Sequence, residues 1–360
     1  MQRRNVLRLL LCFALVACSS AGLSTQPVPL GGQAQPASSA VTIGNLYVAN
    51  YGGNTVTVYG PHKIAPLRTI ADGIKWPYRL AFDGKGNLYV ANDPPVGGHG
   101  WISVYAAGTS TLLRRISAGV DSPSAIAIDS RGMLYVANHP RGGTGSVSVY
   151  AAGSAKPELT ITDGIDGPNA LALDRTGALY VGNLNSPQYG NVTVYQAGAS
   201  KPERTIVQHI NSPYALIFDA AGNLYVANAF LGAAGIHGSL TAYAPGSTTP
   251  SHTTTIGVFQ PEALALSANN VLYVTDTGYT QFKGVITWYA TQGGLKRLAT
   301  LVDKGLDQPQ AVAVDAGGRL YVANGVGGTG GTITVYRELQ RLWTISDGIN
   351  HPLALAFSAH

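Results

Sequence analysis

The stretch Pro77-Tyr78-Arg79-Leu80-Ala81-Phe82-Asp83-Gly84-Lys85-Gly86-Asn87-Leu88-Tyr89-Val90-Ala91-Asn92 decides how the whole chain is read. It holds two short apolar runs around the turn Asp83-Gly84-Lys85-Gly86, the pattern of two strands joined by a hairpin. Close copies recur along the chain. Leu-Tyr-Val ends at Val48, Val90, Val136, Val181, Val226, Val274 and Val322, with its tyrosines 42 to 48 residues apart. A third run follows each copy and ends in a second tyrosine: Tyr59, Tyr105, Tyr150, Tyr195, Tyr243, Tyr289 and Tyr336. A Gly/Ala/Pro turn and a short run such as Thr69-Ile70 or Thr300-Leu301 complete the unit. Four β-prone runs per unit read as a four-stranded antiparallel blade, and apolar residues on both faces fit blades stacked around an axis.

The first unit lacks a Pro-led strand, while a spare one, Pro352-Leu353-Ala354-Leu355-Ala356-Phe357-Ser358, stands at the other end. The strands balance if this segment pairs with Gly44-Asn45-Leu46-Tyr47-Val48, which leaves no unpaired inner strand. The expected fold is all-β: a seven-bladed β-propeller of four-stranded antiparallel blades, closed by the C-terminal strand pairing with the N-terminal blade. It forms one domain over residues 41–360.

Composition agrees with many short strands and tight turns. Charged residues are 11% of the 360, against roughly 25% in an average soluble domain, while 45% are apolar. That apolar share excludes a disordered chain, and the scarcity of Glu and Lys excludes a coiled coil. The net charge of +5 owes much to Arg3, Arg4 and Arg8, which precede the apolar run Leu9 to Ala17. A basic segment, a short apolar run and small residues make a secretory signal over 1–17. Outside it 20 basic residues face 18 acidic ones with no Lys/Arg run, so no nucleic-acid partner is expected.

Leu15-Val16-Ala17-Cys18 resembles the lipobox of bacterial lipoproteins, which implies lipidation of Cys18. Cys12 lies in the discarded segment, so no thiol would remain for a disulfide, a metal or a nucleophile. Residues 18–40, rich in Ser, Gly, Pro, Gln and Ala, read as a flexible tether. The expected location is the cell envelope, anchored by lipid to a bacterial membrane and facing the periplasm or exterior.

The repeated pattern Pro-x-x-Leu-Ala-x-Asp-x-x-Gly-x-Leu-Tyr-Val-Ala-Asn, as at Pro77 to Asn92, resembles NHL-type repeats and the related virginiamycin B lyase and SMP-30/gluconolactonase propellers. The resemblance covers about residues 44–360 and implies a scaffold that hosts enzymes and binding modules alike. The lyase branch implies a histidine base and an acidic, metal-assisted site at the channel mouth, and no residue-by-residue match to it is visible. The lactonase branch implies a Glu/Asn/Asn/Asp metal cluster, for which Glu262 and Asn169 hold rim positions without a full set.

Spacing locates a functional face. Pro to the first tyrosine is 12 residues in all six complete units, and the second tyrosine to the next Pro is 18 in five of seven. The interval between the tyrosines varies from 12 to 18, which puts length variation in the loop joining strands two and three. Variable loops and Pro-led strand starts share one end of the disc, the end that carries binding in repeat folds. The residues after each Pro are expected to ring the channel mouth: Tyr78, Ser124, Asn169, Tyr214, Glu262, Gln310 and Leu353. Of 19 tyrosines, five fall outside the two repeat positions (Tyr51, Tyr78, Tyr189, Tyr214 and Tyr279), all on this face, where Trp76 and Phe230 join them. Such rings suit a glycan, peptide or protein ligand. The alternative is that they pack over Gly-rich loops and shield the channel.

Blade six departs from the pattern. Six units carry Asn after the second strand (Asn50, Asn92, Asn138, Asn183, Asn228 and Asn324), and here it is Asp276. The same blade carries Glu262. The two carboxylates suit a divalent cation, or split their pKa values so that one serves as an acid. The alternative is an Asp standing in for a loop-capping Asn beside an unrelated, solvated Glu. His139 and His237 lie in the variable loops, and His209 precedes a Pro-led strand. The Gly-rich stretch Gly327 to Gly331 joins strand to strand, so no phosphate-binding helix follows. The reading that results is a monomeric, lipid-anchored binding module without a complete catalytic set and without a required cofactor. Its ligand residues are Tyr78, Asn169, Tyr214, Glu262 and Gln310 with Tyr51, Tyr189 and Tyr279. The alternative is a metal-dependent lyase or lactonase around Glu262 and Asp276.

Overall fold

The hairpin at Asp83 forms as its residues dictate. The Asp83 carboxylate accepts the main-chain N–H groups of Lys85 and Asn87, each at 2.9 Å, and Gly86 takes the left-handed conformation (φ 80°) that the turn needs. Asp129, Asp174, Asp219 and Asp315 repeat the arrangement in other units. The computed structural model describes residues 43–94, 98–185, 189–229, 238–278, 284–325 and 330–358. The expectations for residues 1–40, Cys18 included, and for Tyr279, Phe230 and His237 concern positions outside these.

Seven four-stranded antiparallel sheets result, the seven-bladed β-propeller expected. In blade 2 the strands run Pro77–Phe82, Leu88–Asn92, Trp101–Tyr105 and Leu112–Ile116, and blades 3 to 7 repeat this order. Blade 1 takes its first strand from the far end of the chain. Pro352–Phe357 pairs with Leu46–Asn50, with Leu46 opposite Phe357 and Val48 opposite Leu355. The Pro-led strands of neighbouring blades lie against one another around the ring.

Alternation along each strand sends residues to both neighbours. Leu46 and Val48 pack against blade 7, while Tyr47 and Ala49 pack against blade 2. The first tyrosine meets the phenylalanine of the next blade edge-on: Tyr47 on Phe82 at 5.0 Å, Tyr180 on Phe218 at 4.9 Å, and Tyr321 on Phe357 at 5.1 Å, the last across the closure. The second tyrosine braces the connection leading into its own blade. Tyr105 donates to the Asp72 carbonyl at 2.5 Å, Tyr150 to Ala118 at 2.8 Å and Tyr195 to Asp163 at 2.5 Å.

The two ends of the disc are therefore distinct. The Asp-capped turns and the turns between strands three and four form a lower face. The Pro-led starts and the strand two–three loops form an upper face. The chain joins the fold on the lower face, where Ile43, Gly44 and Asn45 line a cleft of about 410 Å³ with Gly84, Lys85, Gly86 and Ala107.

Candidate functional site

The upper face rests on a repeated polar scaffold. The buried Asn92 accepts the Lys75 N–H at 2.9 Å through its side-chain oxygen and donates to Ser103 Oγ at 3.2 Å. Asn138, Asn183, Asn228, Asn324 and Asn50 likewise accept from the residue two before a proline. The next N–H along donates to the carbonyl before that proline: Asp93 to Trp76, His139 to Ser122, Leu184 to Gly167 and Thr277 to Gln260, at 2.9–3.2 Å. The recurring Asn is thus a stitch between strand and connection.

Two rings of side chains stand on this scaffold. The residue after each Pro sits at a β-bulge: Pro77 pairs with Asn92 and Arg79 with Ala91, leaving Tyr78 between them. Ser124, Asn169, Tyr214, Glu262 and Gln310 occupy the equivalent bulges, and Leu353 the equivalent position in blade 1. The residues after the Asn or Asp form a second ring: Tyr51, Asp93, His139, Leu184, Ala229, Thr277 and Gly325. The structure so gathers Tyr78, Asn169, Tyr214, Glu262, Gln310 and Tyr51. It leaves Tyr189 apart, 66% exposed on its loop and at a φ of 75° that is rare for an aromatic residue.

The side chains of the first ring are packed, as the alternative reading of these rings has it. All seven of its side chains are buried, Tyr78 at 8% and Tyr214 at 2% exposure. The bulge turns them sideways onto neighbouring blades. Tyr78 packs against Leu353 and Tyr51, Tyr214 against Ala229 and Leu184, and Ser124 Oγ donates to the Pro168 carbonyl at 2.6 Å.

Glu262 is not the solvated side chain of the alternative reading: it is 1% exposed. Its Oε1 accepts from the Thr277 hydroxyl at 3.4 Å, and its buried Oε2 has no hydrogen-bond partner among the described residues; Gln310 Oε1 in the next blade is in the same condition. Burial pushes the Glu262 carboxyl well above the ordinary range, and the Asp276 charge adds to this, while the Thr277 hydroxyl and the Arg79 guanidinium oppose it. Asp276 does the Asn's work with a carboxylate. Its oxygens accept the N–H groups of Phe259 (2.5 Å), Gln260 (2.9 Å) and Gly278 (3.0 Å). Both Asp276 oxygens are thus engaged by main-chain N–H groups, whereas Glu262 Oε2 is not. Among the described residues no group of three or more His, Cys, Asp or Glu side chains converges to hold a metal.

Two charged residues of the site escape the sequence reading. Arg79 is 2% exposed in the inner strand of blade 2, its guanidinium 4.1 Å from the Tyr78 ring centroid and its Nη1 donating to the Tyr78 carbonyl at 2.9 Å. Its charge reaches Glu262 of blade 6 and Asp93 of its own blade. Asp93 is held up to about 6, mainly by burial. Both stand out once the repeats are stacked. Arg79 replaces an alanine found at that position in the six other units (Ala125, Ala170, Ala215, Ala263, Ala311 and Ala354), and Asp93 alone puts a carboxylate after the second strand's Asn.

His139 lines a polar cleft of about 540 Å³ with Arg141, Thr144, Asp166 and Asn185, and burial lowers its pKa while Asp166 opposes this. His209 lies outside this group, its Nδ1 2.9 Å from Thr253 Oγ1.

No protein-family model and no curated protein matches the chain. Among solved structures, it is similar to a chain of hydrazine synthase from Kuenenia stuttgartiensis, with a TM-score of 0.64 and 19% identity over 78% of this chain and 89% of that one. It is also similar to a chain of the mitotic checkpoint complex, with a TM-score of 0.61 and 13% identity over 84% of this chain and 96% of that one. At such identities the likeness establishes the architecture, and the chain is a β-propeller.

Proposed function

We propose that this protein is a lipid-anchored envelope β-propeller, related in its repeat to the NHL-type propellers, that binds a glycan, peptide or protein on its upper face. One observation carries the reading. Units that repeat almost residue for residue in their strands diverge in the second ring, most of which reaches solvent, and in the length of the strand two–three loops, on one of which the exposed Tyr189 stands. An asymmetric ligand demands asymmetry in the surface that meets it, and a scaffold alone does not.

The test is retention of the purified protein on glycan and peptide arrays. Tyr189→Ala should reduce retention at least tenfold with the melting temperature unchanged. Tyr214→Ala should instead destabilise the fold by about 3–5 kcal/mol, because it removes a buried ring. A Tyr189→Ala protein that bound every ligand as its parent does, with binding lost only on lower-face substitution, would refute the reading. The buried, unpartnered Glu262 Oε2 favours one alternative, acid catalysis or cation binding at that carboxyl. It requires a divalent-ion-dependent turnover or thermal shift that Glu262→Gln abolishes.

A further inference from the structure

The lower face carries a surplus of exposed positive charge, and the chain preceding Ile43 arrives on it. Its turns present Lys63, Lys85, Lys156, Lys201 and Arg175, with Arg337 at the lower end of its strand, all exposed, in blades 1, 2, 3, 4 and 7. The exposed carboxylates there are fewer: Glu158, Glu203 and Glu338. Asp129 and Asp315 of the strand one–two turns pair with Arg131 and Arg319, and Glu203 pairs with Arg204, so Asp83, Asp174 and Asp219 with Glu158 and Glu338 are left against these six basic residues and the exposed Lys296 of blade 6. Around the upper rings the balance reverses. The carboxylates that reach solvent there are Asp93, Asp121, Asp166 and Asp307, against Lys75 and Arg141 among the described residues. The disc is electrically two-faced.

We infer that the lower face docks on an anionic bilayer surface and that the upper face is thereby held outward. The occupant follows from two features. Charge complementarity selects a polyanionic surface, and each basic side chain near such a membrane contributes about fivefold in affinity. The first described residue, Ile43, lies beside Lys85 on this face, and 24 residues separate it from Cys18. Fully extended, that stretch spans at most about 90 Å. The acidic upper face is repelled by the same surface. The inference deepens the proposed function and rests on its anchor, whose existence is tested separately by incorporation of labelled palmitate at Cys18.

The docking itself is measured without the acyl chain. The chain from residue 18 onward, carrying Cys18→Ala, is sedimented with vesicles of phosphatidylglycerol and phosphatidylcholine, and with phosphatidylcholine alone. Binding should require phosphatidylglycerol and should fall with added salt. Adding Lys63→Glu, Lys85→Glu, Lys156→Glu and Lys201→Glu together should weaken the phosphatidylglycerol-dependent part on the order of 100-fold or more. These lysines are exposed in turns, so the melting temperature should stay near the parent's. Lys75→Glu on the upper face should change little. The proposal is overturned if the fourfold variant binds as its parent does, or if Lys75→Glu abolishes binding. It is also overturned if the parent binds soluble dextran sulfate but ignores phosphatidylglycerol vesicles.

Discussion

At its lower end each of blades 2 to 7 is finished by a small hairpin that caps itself; at its upper end a blade is finished by contacts with the blade beside it. The Asp83 turn draws its hydrogen bonds from Lys85 and Asn87, a few residues away. Asn92 instead holds the connection arriving from blade 1, and Ser124 reaches the Pro168 carbonyl of the next blade. Lower-end residues repeat because each hairpin is a local problem solved alike each time. Upper-end residues face a different neighbour in every blade, so they are free to differ and can be specialised. Charge follows the same division, with inward-turned aspartates below and buried Glu262 and Arg79 above.

The comparison breaks most completely at the closure. Deleting residues 350–360 removes the first strand of blade 1 and the Tyr321–Phe357 contact, so cooperative unfolding should be lost. A truncated protein that melts in one transition at the parent's temperature would show that the blades stand without the ring. A matched pair of glycines sharpens the contrast between ends. At Gly145 (φ 95°) on the upper face an added Cβ would lie 2.5 Å from the Asn138 carbonyl oxygen and 2.5 Å from Pro168 Cδ of the next blade. At Gly153 (φ 82°) on the lower face it would meet nothing within 4 Å. Gly145→Ala should cost about 2–4 kcal/mol, and Gly153→Ala about 1 kcal/mol from its backbone conformation alone, as read by denaturant titration.

A smaller effect than that at Gly145, and one that depends on pH, concerns Asp93. Its carboxyl sits at about 6 in the fold, above the ~3.9 of an unfolded aspartate. The folded chain keeps a proton that the unfolded chain releases, so this group's contribution is full below about pH 4 and is lost as the pH rises through 6. Asp93→Asn should remove that loss, on the order of 1–2 kcal/mol, and raise the melting temperature by a few degrees at pH 7 but not at pH 4. Equal shifts at both pH values would mean that packing, not ionisation, distinguishes the variant.

The architecture was legible because its determinants are local and repeated seven times. Pro-to-tyrosine spacing marks the hairpin, and the spare Pro-led strand marks the closure. The positions of the first ring were legible for the same reason. Their burial was not, because it depends on how the bulge at Tyr78 or Tyr214 turns the side chain onto Leu353 or Leu184 of another blade. Arg79 left a sequence signal, a single arginine in a column of alanines. Its significance is spatial: it acts on Glu262 from a blade 183 positions earlier in the chain.

The closure has a mechanical consequence. The strand Leu46–Asn50 lies inside its sheet, with five paired residues to Thr55–Tyr59 on one side and five to Pro352–Phe357 on the other. Tension arriving through the segment before Ile43 pulls along that strand and loads both ladders in shear, so many bonds resist together instead of opening one after another. Load applied through this end should therefore not fray the fold, and a fluorescent reporter fused beyond Ser358 would leave from the same face as Ile43.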